Sequence, residues 1–321
     1  MSKLRISCRA PAKVIISGEH SVVYGYPALV AAVNIYSRVI VETVDEFGPH
    51  EICSEKYGIG KVIGNALSGP AVLKPLARIV SVFSESEPFK GRLKIRVSSE
   101  IPPASGMGSS ASISVALAYA LLKTVYDKPP EERVFKLAME GEKVAHANPS
   151  GVDVAAALRG GLILFVKDRG FERLEAGKGI FLLADSGMER STREMVSKVA
   201  SLKEREPDLF NIVMTCMGDL TVRISRVLQN DLVEAGRLMT LNHLLLSLLG
   251  VSNSRLDSIV WSSIFSGAYG AKLTGAGGGG CVLALIDEKS IDRVEAALKN
   301  INAQPRVLKT VEEGVRLEES S

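Results

Sequence analysis

Pro102-Pro103-Ala104-Ser105-Gly106-Met107-Gly108-Ser109-Ser110-Ala111 lies between an alternating run, Arg92-Leu93-Lys94-Ile95-Arg96-Val97, and an apolar stretch, Ala111–Tyr126. The alternation predicts a strand and the apolar stretch a helix. A strand-to-helix loop of this composition suits a phosphate. Glycine lets backbone N–H groups curl inward, and a helix N-terminus adds partial positive charge. The serine hydroxyls can bond phosphate oxygens or a metal ion. The competing reading is a plain helix start with Ser109 as N-cap. Two glycines directly before that position favour phosphate.

Working outward, Pro11–Gly25 sets Lys13, Glu19 and His20 between short apolar runs. A lysine at a strand end can neutralise an anion or acidify a hydroxyl; a polar surface hairpin suits the composition equally well. Downstream, Lys272–Cys281 contains five glycines. Ordering so many glycines is entropically unfavourable, so the run must serve a ligand or a neighbouring loop at close approach. In Glu140–Asp153, Glu142 falls late in one predicted helix and Asp153 just inside the next. Asp153 sits among Val152 and Val154–Leu158. An acid there needs a cationic or hydrogen-bonding partner, and Lys13 is the candidate.

Other motif readings fail on context. Gly106–Ala111 also fits a dinucleotide fingerprint, but Asp127 falls in a polar turn instead of ending a strand. Gly275–Gly280 fits one too, yet a strand follows it, not a helix. No Walker A loop, HExxH or GxSxG occurs, and His20, His50, His146 and His243 are not spaced as a metal set.

The 321 residues suffice for one large or two medium domains. A hydrophobic fraction of 46%, a charged fraction of 23% and a net charge of +3 are those of an ordinary globular chain, with no pull toward nucleic acid or anionic membrane. Cys8, Cys53, Cys216 and Cys281 are scattered, which fits reduced thiols in the cytosol better than a disulfide framework. The opening MSKLRISCRAPAK has no apolar core, so no secretory leader is expected. Leu4–Arg9 and Val14–Ile16 are predicted as separate short apolar runs, and Ala28–Val44 as strand with a turn inside it. Lys74–Phe83, Pro129–Ala147 and most of Ser191–Phe265 carry helical spacing, and a boundary is expected near Gly170–Lys178.

In chain order these segments resemble the GHMP kinase superfamily and, within it, the mevalonate kinases. Lys13–Gly25 with Tyr26-Pro27-Ala28 resembles the mevalonate kinase opening motif, and Pro102–Ala111 the shared nucleotide loop. Asn148-Pro149-Ser150-Gly151-Val152-Asp153 is similar to the mevalonate kinase catalytic segment, and Lys272–Gly280 to the third GHMP motif. Arg190-Ser191-Thr192 and Asn242–Ser252 are weaker matches.

The resemblance implies an α+β, two-domain fold. Residues 1–175 would form an N-terminal domain like domain 2 of ribosomal protein S5. Residues 176–321 would form a ferredoxin-like domain with extra helices, its last strand free to pack back on the first. ATP would lie between them, its phosphates over Pro103, Ala104, Ser105, Gly106, Met107, Gly108, Ser109 and Ser110, together with Gly277. Ser110 and Glu142 would hold Mg²⁺, and Asp153 and Lys13 would be catalytic. Lys13, Glu19, His20, Ser150, Gly151, Asp153, Arg190 and Thr192 would form the substrate pocket, with Arg190 facing a carboxylate. The implied activity is ATP-dependent phosphorylation of the terminal (carbon five) hydroxyl of mevalonate, giving 5-phosphomevalonate and ADP in isoprenoid biosynthesis. Another GHMP small-molecule kinase, acting on phosphomevalonate or homoserine, is the alternative. The partners implied are ATP and mevalonate, without nucleic acid or membrane, in the cytoplasm; the resemblance leaves room for a homodimer.

Overall fold

Arg5–Ser17 alternates buried and partly exposed side chains only as far as Arg9; beyond it almost every residue is buried. It is one strand, β1, instead of the two separate runs expected. Pro11 is tolerated because the register shifts between Pro11 and Ala12, where a missing N–H leaves no gap in the ladder. The computed structural model describes residues 4–45, 48–102, 105–146, 149–166, 169–175, 179–189 and 191–318.

After β1 come strands β2 (Ala28–Val44), β3 (His50–Ser54), β4 (Gly58–Ile63) and β5 (Ala66–Ser68). Next are α1 (Lys74–Ser86), β6 (Arg92–Ser99), α2 (Ser109–Lys123), α3 (Glu131–Ala145) and α4 (Val152–Arg159). Then follow β7 (Leu162–Val166), β8 (Gly170–Leu174), β9 (Ile180–Asp185), α5 (Thr192–Arg205) and α6 (Pro207–Val227). The chain continues through α7 (Leu232–Leu248), α8 (Ser254–Phe265), β10 (Gly270–Thr274), β11 (Cys281–Ile286), α9 (Ile291–Asn300), β12 (Gln304–Leu308) and β13 (Arg316–Leu317). The α+β class is the one expected. No described helix is long and apolar enough to cross a membrane.

Two sheets organise the described residues. The larger runs β13-β1-β2-β6-β3-β4-β5, with β7 paired to β2 and β8 to β7; the smaller runs β10-β11-β9-β12. The turn expected inside β2 is instead a bulge: Pro11 pairs with Tyr36 and Ala12 with Val33, so Asn34 and Ile35 are extra on β2. The bend divides β2 between partners, Ala28–Ala31 pairing with β7 and Ser37–Val44 with β6. β8 occupies the start of the expected boundary segment and belongs to the larger sheet.

One core joins the larger sheet to α1, α2 and α3 through Val39, Val41, Ile95, Phe83, Leu117 and Val134. The smaller sheet alternates its faces. Leu182, Ala184, Val282 and Ala284 meet Ile259, Val260, Val294 and Leu298 of α8 and α9. Phe181, Leu183, Leu283 and Leu285 meet Ala12, Val14, Ile16 and Leu29 of β1 and β2. This shared apolar layer fixes β1 against the second sheet, and so fixes what the two halves present at their common edge.

Candidate active site

Helix α2 starts without a side-chain cap. Its N-cap is Gly108, left-handed at φ 70°, and Ser109 is already helical. Its first-turn N–H groups therefore lack a side-chain acceptor, which leaves donors for an outside anion. Glycine suits position 108 best. A Cβ there would lie 3.1 Å from Lys13 Cγ and 3.4 Å from Asp153 Oδ2, in a backbone conformation that L side chains rarely adopt. The loop is tied to β1 by Lys13 N–H, which donates to Met107 O at 3.0 Å.

Lys13 Nζ lies 3.0 Å from Asp153 Oδ1; the Lys13 side chain is 4% exposed and that of Asp153 34%. The pair forms because α4 packs on the larger sheet. Val152, Ala155 and Ala156 pack with Val30 and Ile163, which turns the intervening Asp153 toward β1. Asp153 also lies in the first turn of α4, where the helix dipole favours a carboxylate.

Glu142 is buried on α3, and Ser110 Oγ donates to its Oε1 at 2.5 Å. Burial raises the Glu142 pKa; the Ser110 hydrogen bond opposes this, and the charge of Asp153 adds to it. Its ion-pair candidate is His146, whose Nε2 is 3.9 Å away on a side chain 56% exposed. A buried, poorly compensated carboxylate beside a hydroxyl fits a hard divalent cation that takes its remaining oxygens from phosphate and water.

Glu19 and His20 end the loop after β1. His20 holds φ 60°, and its Nε2 is 2.9 Å from Ala276 O. Burial lowers the His20 pKa, which favours the neutral ring. Glu19 is buried and bonded to the Lys272 ammonium, with Asn242 Nδ2 3.4 Å from its other oxygen. Burial also lowers the Lys272 pKa, and the charge of Glu19 opposes this.

All of these groups except Lys272 and Asn242 converge on one cavity of about 360 Å³. Ser105, Gly106, Met107, Gly108, Ser109 and Ser110 form one wall, beside Glu142. Lys13, Glu19, His20, Ser150, Asp153 and Thr192 line the rest. Of the described residues singled out in the sequence, two are not in its lining. Gly151 caps α4 with its Cα toward Phe135, and Gly277 lies against Val251, whose carbonyl oxygen would be 2.2 Å from a Cβ at 277. Gly275 and Ala276 of the same loop do line the cavity. Pro103, Ala104 and Arg190 lie outside the described residues. A second cavity of about 310 Å³ shares Ser109 and Ser110 and is walled by Leu73, Leu76, Val97 and Ile113.

Lys272 and Asn242 lie in segments matched by sequence and His146 was set aside as a metal ligand, but none of the three was given a role. Lys272 carried a signal: it stands between Ala271 and Leu273 in a strand buried throughout, and needs a partner for the same reason as Asp153.

Known proteins match this arrangement. Residues 74–161 match the family described as GHMP kinases N terminal domain, and residues 224–304 match GHMP kinases C terminal. The chain is similar to a mevalonate kinase of Thermococcus gammatolerans, 32% identical over 98% of this chain and 99% of the relative. It is 35% identical to one of Aeropyrum pernix over 97% of each. A solved structure of the mevalonate kinase of L. major in complex with R-mevalonate superposes with a TM-score of 0.78, at 27% identity, over 96% of this chain and 97% of that one. The uncapped helix, the lysine–aspartate pair and full-length similarity agree, and the chain belongs to the GHMP kinases, among the mevalonate kinases.

Proposed function

We propose that the cavity transfers the γ-phosphoryl group of ATP to the terminal hydroxyl of mevalonate, giving 5-phosphomevalonate and ADP. The observation that carries this reading is the Lys13–Asp153 pair, 3.0 Å apart, set against the uncapped N-terminus of α2. Phosphoryl transfer needs alignment and charge neutralisation more than covalent help, so a small set of groups suffices.

The triphosphate lies on the first-turn N–H groups of α2 and the Ser105–Ser110 loop. The base occupies the neighbouring apolar cavity, which meets the phosphate wall at Ser109 and Ser110. Ser110 and Glu142 hold Mg²⁺, which when bound neutralises charge on the phosphate oxygens. Asp153 receives or orients the hydroxyl proton. Lys13 holds Asp153 in place by their ion pair and faces the developing charge on the transferred group. His20, Ser150 and Thr192 shape the mevalonate end. His20 favours its neutral form, so Arg190 is the stronger choice for the substrate carboxylate. The scattered cysteines support a reducing, cytoplasmic setting.

The test is a substrate panel. Purified protein with ATP and Mg²⁺ is given mevalonate, phosphomevalonate, homoserine and galactose, and ADP release is followed. Mevalonate should turn over with kcat/KM at least about a hundredfold above the others. Turnover of another alcohol in preference to mevalonate would overturn the reading.

A further inference from the structure

The Glu19–Lys272 ion pair joins the two halves of the molecule, and its side chains are 1% and 0% exposed. Lys272 Nζ also donates to Leu273 O at 2.7 Å, and Asn242 Nδ2 approaches the second oxygen of Glu19. Both carboxylate oxygens are thus turned toward β10 and α7. Ions withdrawn this far from water add little to stability over an apolar packing. Their geometry points to another use.

The residue after Glu19 supplies it. His20 has φ 60° and ψ −47°, outside the regions an L-residue favours. Such a conformation persists only where its surroundings over-determine it. Besides the local backbone bonds from Ser21 and Val23 N–H to Glu19 O and His20 O, two side-chain grips hold it: Lys272 on the adjoining Glu19, and Ala276 O on the His20 ring. Both grips come from β10 and the glycine loop that follows it. Two further bonds tie the same segment to the second half, Thr274 Oγ1 to Ile15 O at 3.0 Å and Ser17 Oγ to Thr221 Oγ1 at 2.7 Å. The phosphate wall is built from the Ser105–Ser110 loop, the start of α2 and Glu142 of α3, with no side-chain bond to Lys272 or Asn242 among the described residues.

We propose that Lys272, assisted by Asn242, is a positioning residue for the alcohol end of the pocket. By holding the Glu19 carboxylate it fixes the Glu19–His20 turn, and so the wall against which mevalonate is aligned. Lys272 touches no substrate. Glu19 lines the cavity, but its carboxylate oxygens are held by Lys272 and Asn242, so it acts by fixing that wall. The inference rests on the mevalonate reading above and adds to it a division of labour: the clamp governs the alcohol and leaves ATP alone.

The experiment compares wild type with Lys272→Met, Glu19→Gln and the double variant Lys272→Met/Glu19→Gln. Thermal midpoint, kcat and both KM values are measured for each. Wild type is assayed first; failure to turn over mevalonate there defeats the parent reading by itself. Lys272→Met should lose thermal stability, because it leaves a buried carboxylate without its cation. Its KM for mevalonate should rise about tenfold or more while its KM for ATP stays within about twofold. The double variant carries no orphan charge, so its thermal midpoint should recover while its mevalonate KM stays high. It also serves if Lys272→Met does not fold. The His20 ring signals in ¹H–¹⁵N NMR should move on adding mevalonate to wild type, and broaden in the double variant before any ligand is added. A folded double variant with a near-normal mevalonate KM, or both KM values rising together, would overturn the proposal.

Discussion

Asp153→Asn keeps the shape of the side chain and removes its charge and most of its basicity. Asp153 Oδ1 is 3.0 Å from Lys13 Nζ. Two unit charges at that separation attract by about 5.5 kcal/mol at an effective dielectric of 20. Water reaches Asp153, whose side chain is 34% exposed, and screening reduces the effective loss to roughly 1–3 kcal/mol. That part falls on stability and on the placement of Lys13. The chemical part is larger. A positioned base contributes about 10²–10⁴ in rate, or about 2.7–5.4 kcal/mol at 1.36 kcal/mol per decade. Asp153→Asn should therefore lower kcat by about two to four orders of magnitude, with the KM for ATP changed no more than a few-fold. Lys13→Met should behave alike. Because the two residues act as a unit, the double variant should lose little beyond the worse single one. Coupled detection of ADP measures all three. An Asp153→Asn enzyme within about tenfold of the wild-type kcat, or a double variant whose loss equals the product of the single losses, would refute the reasoning.

Gly108→Ala places a methyl 3.1 Å from Lys13 Cγ in a left-handed backbone, so kcat should fall and the thermal midpoint should drop; unchanged kinetics would show that the gap above Lys13 is not needed. Glu142→Gln tests the buried acid through pH. The folded-state pKa of Glu142 is raised, so the ligand-free fold is favoured while that group is protonated, and loses this advantage as pH rises through the raised value. Ligand-free Glu142→Gln should thus melt at or above wild type at pH 8, with the gap closing as pH falls to the ordinary carboxylate range. The stabilisation of wild type by Mg²⁺ and ATP should be lost in the same variant, as differential scanning calorimetry would record. Ser110→Ala should raise the Mg²⁺ concentration for half-maximal rate severalfold, with saturating-Mg²⁺ kcat less affected; an unaltered Mg²⁺ titration would remove Ser110 from the metal's ligands.

Much of the site was legible because its chemistry is local. Gly106 and Gly108 before an apolar run mark an uncapped helix start. Asp153 in an apolar stretch needed a cationic or hydrogen-bonding partner, and Lys13 lies 3.0 Å from it. The cross-chain network was less legible. Glu19 and Lys272 are 253 residues apart, and no local pattern pairs them; only the packing of β1 against the second sheet does. The glycine run Gly275–Gly280 was ambiguous between ligand and loop, since glycine reports close approach without naming what approaches. It divides the two: Gly275 and Ala276 line the cavity, while Gly277 fits under Val251 and Gly278 under Met195. The fold's misreadings have a shared cause. A bulge at Asn34 and a proline at Pro11 break sequence alternation in the manner of turns, although the strands continue through both.

A crystal structure with mevalonate and a non-hydrolysable ATP analogue bears most directly on how these residues act together. The terminal hydroxyl should lie about 2.6–3.2 Å from Asp153, with the γ-phosphate between Lys13 and the first turn of α2. Mevalonate bound away from Asp153, or a triphosphate lying off the Gly106–Ser110 loop, would contradict it.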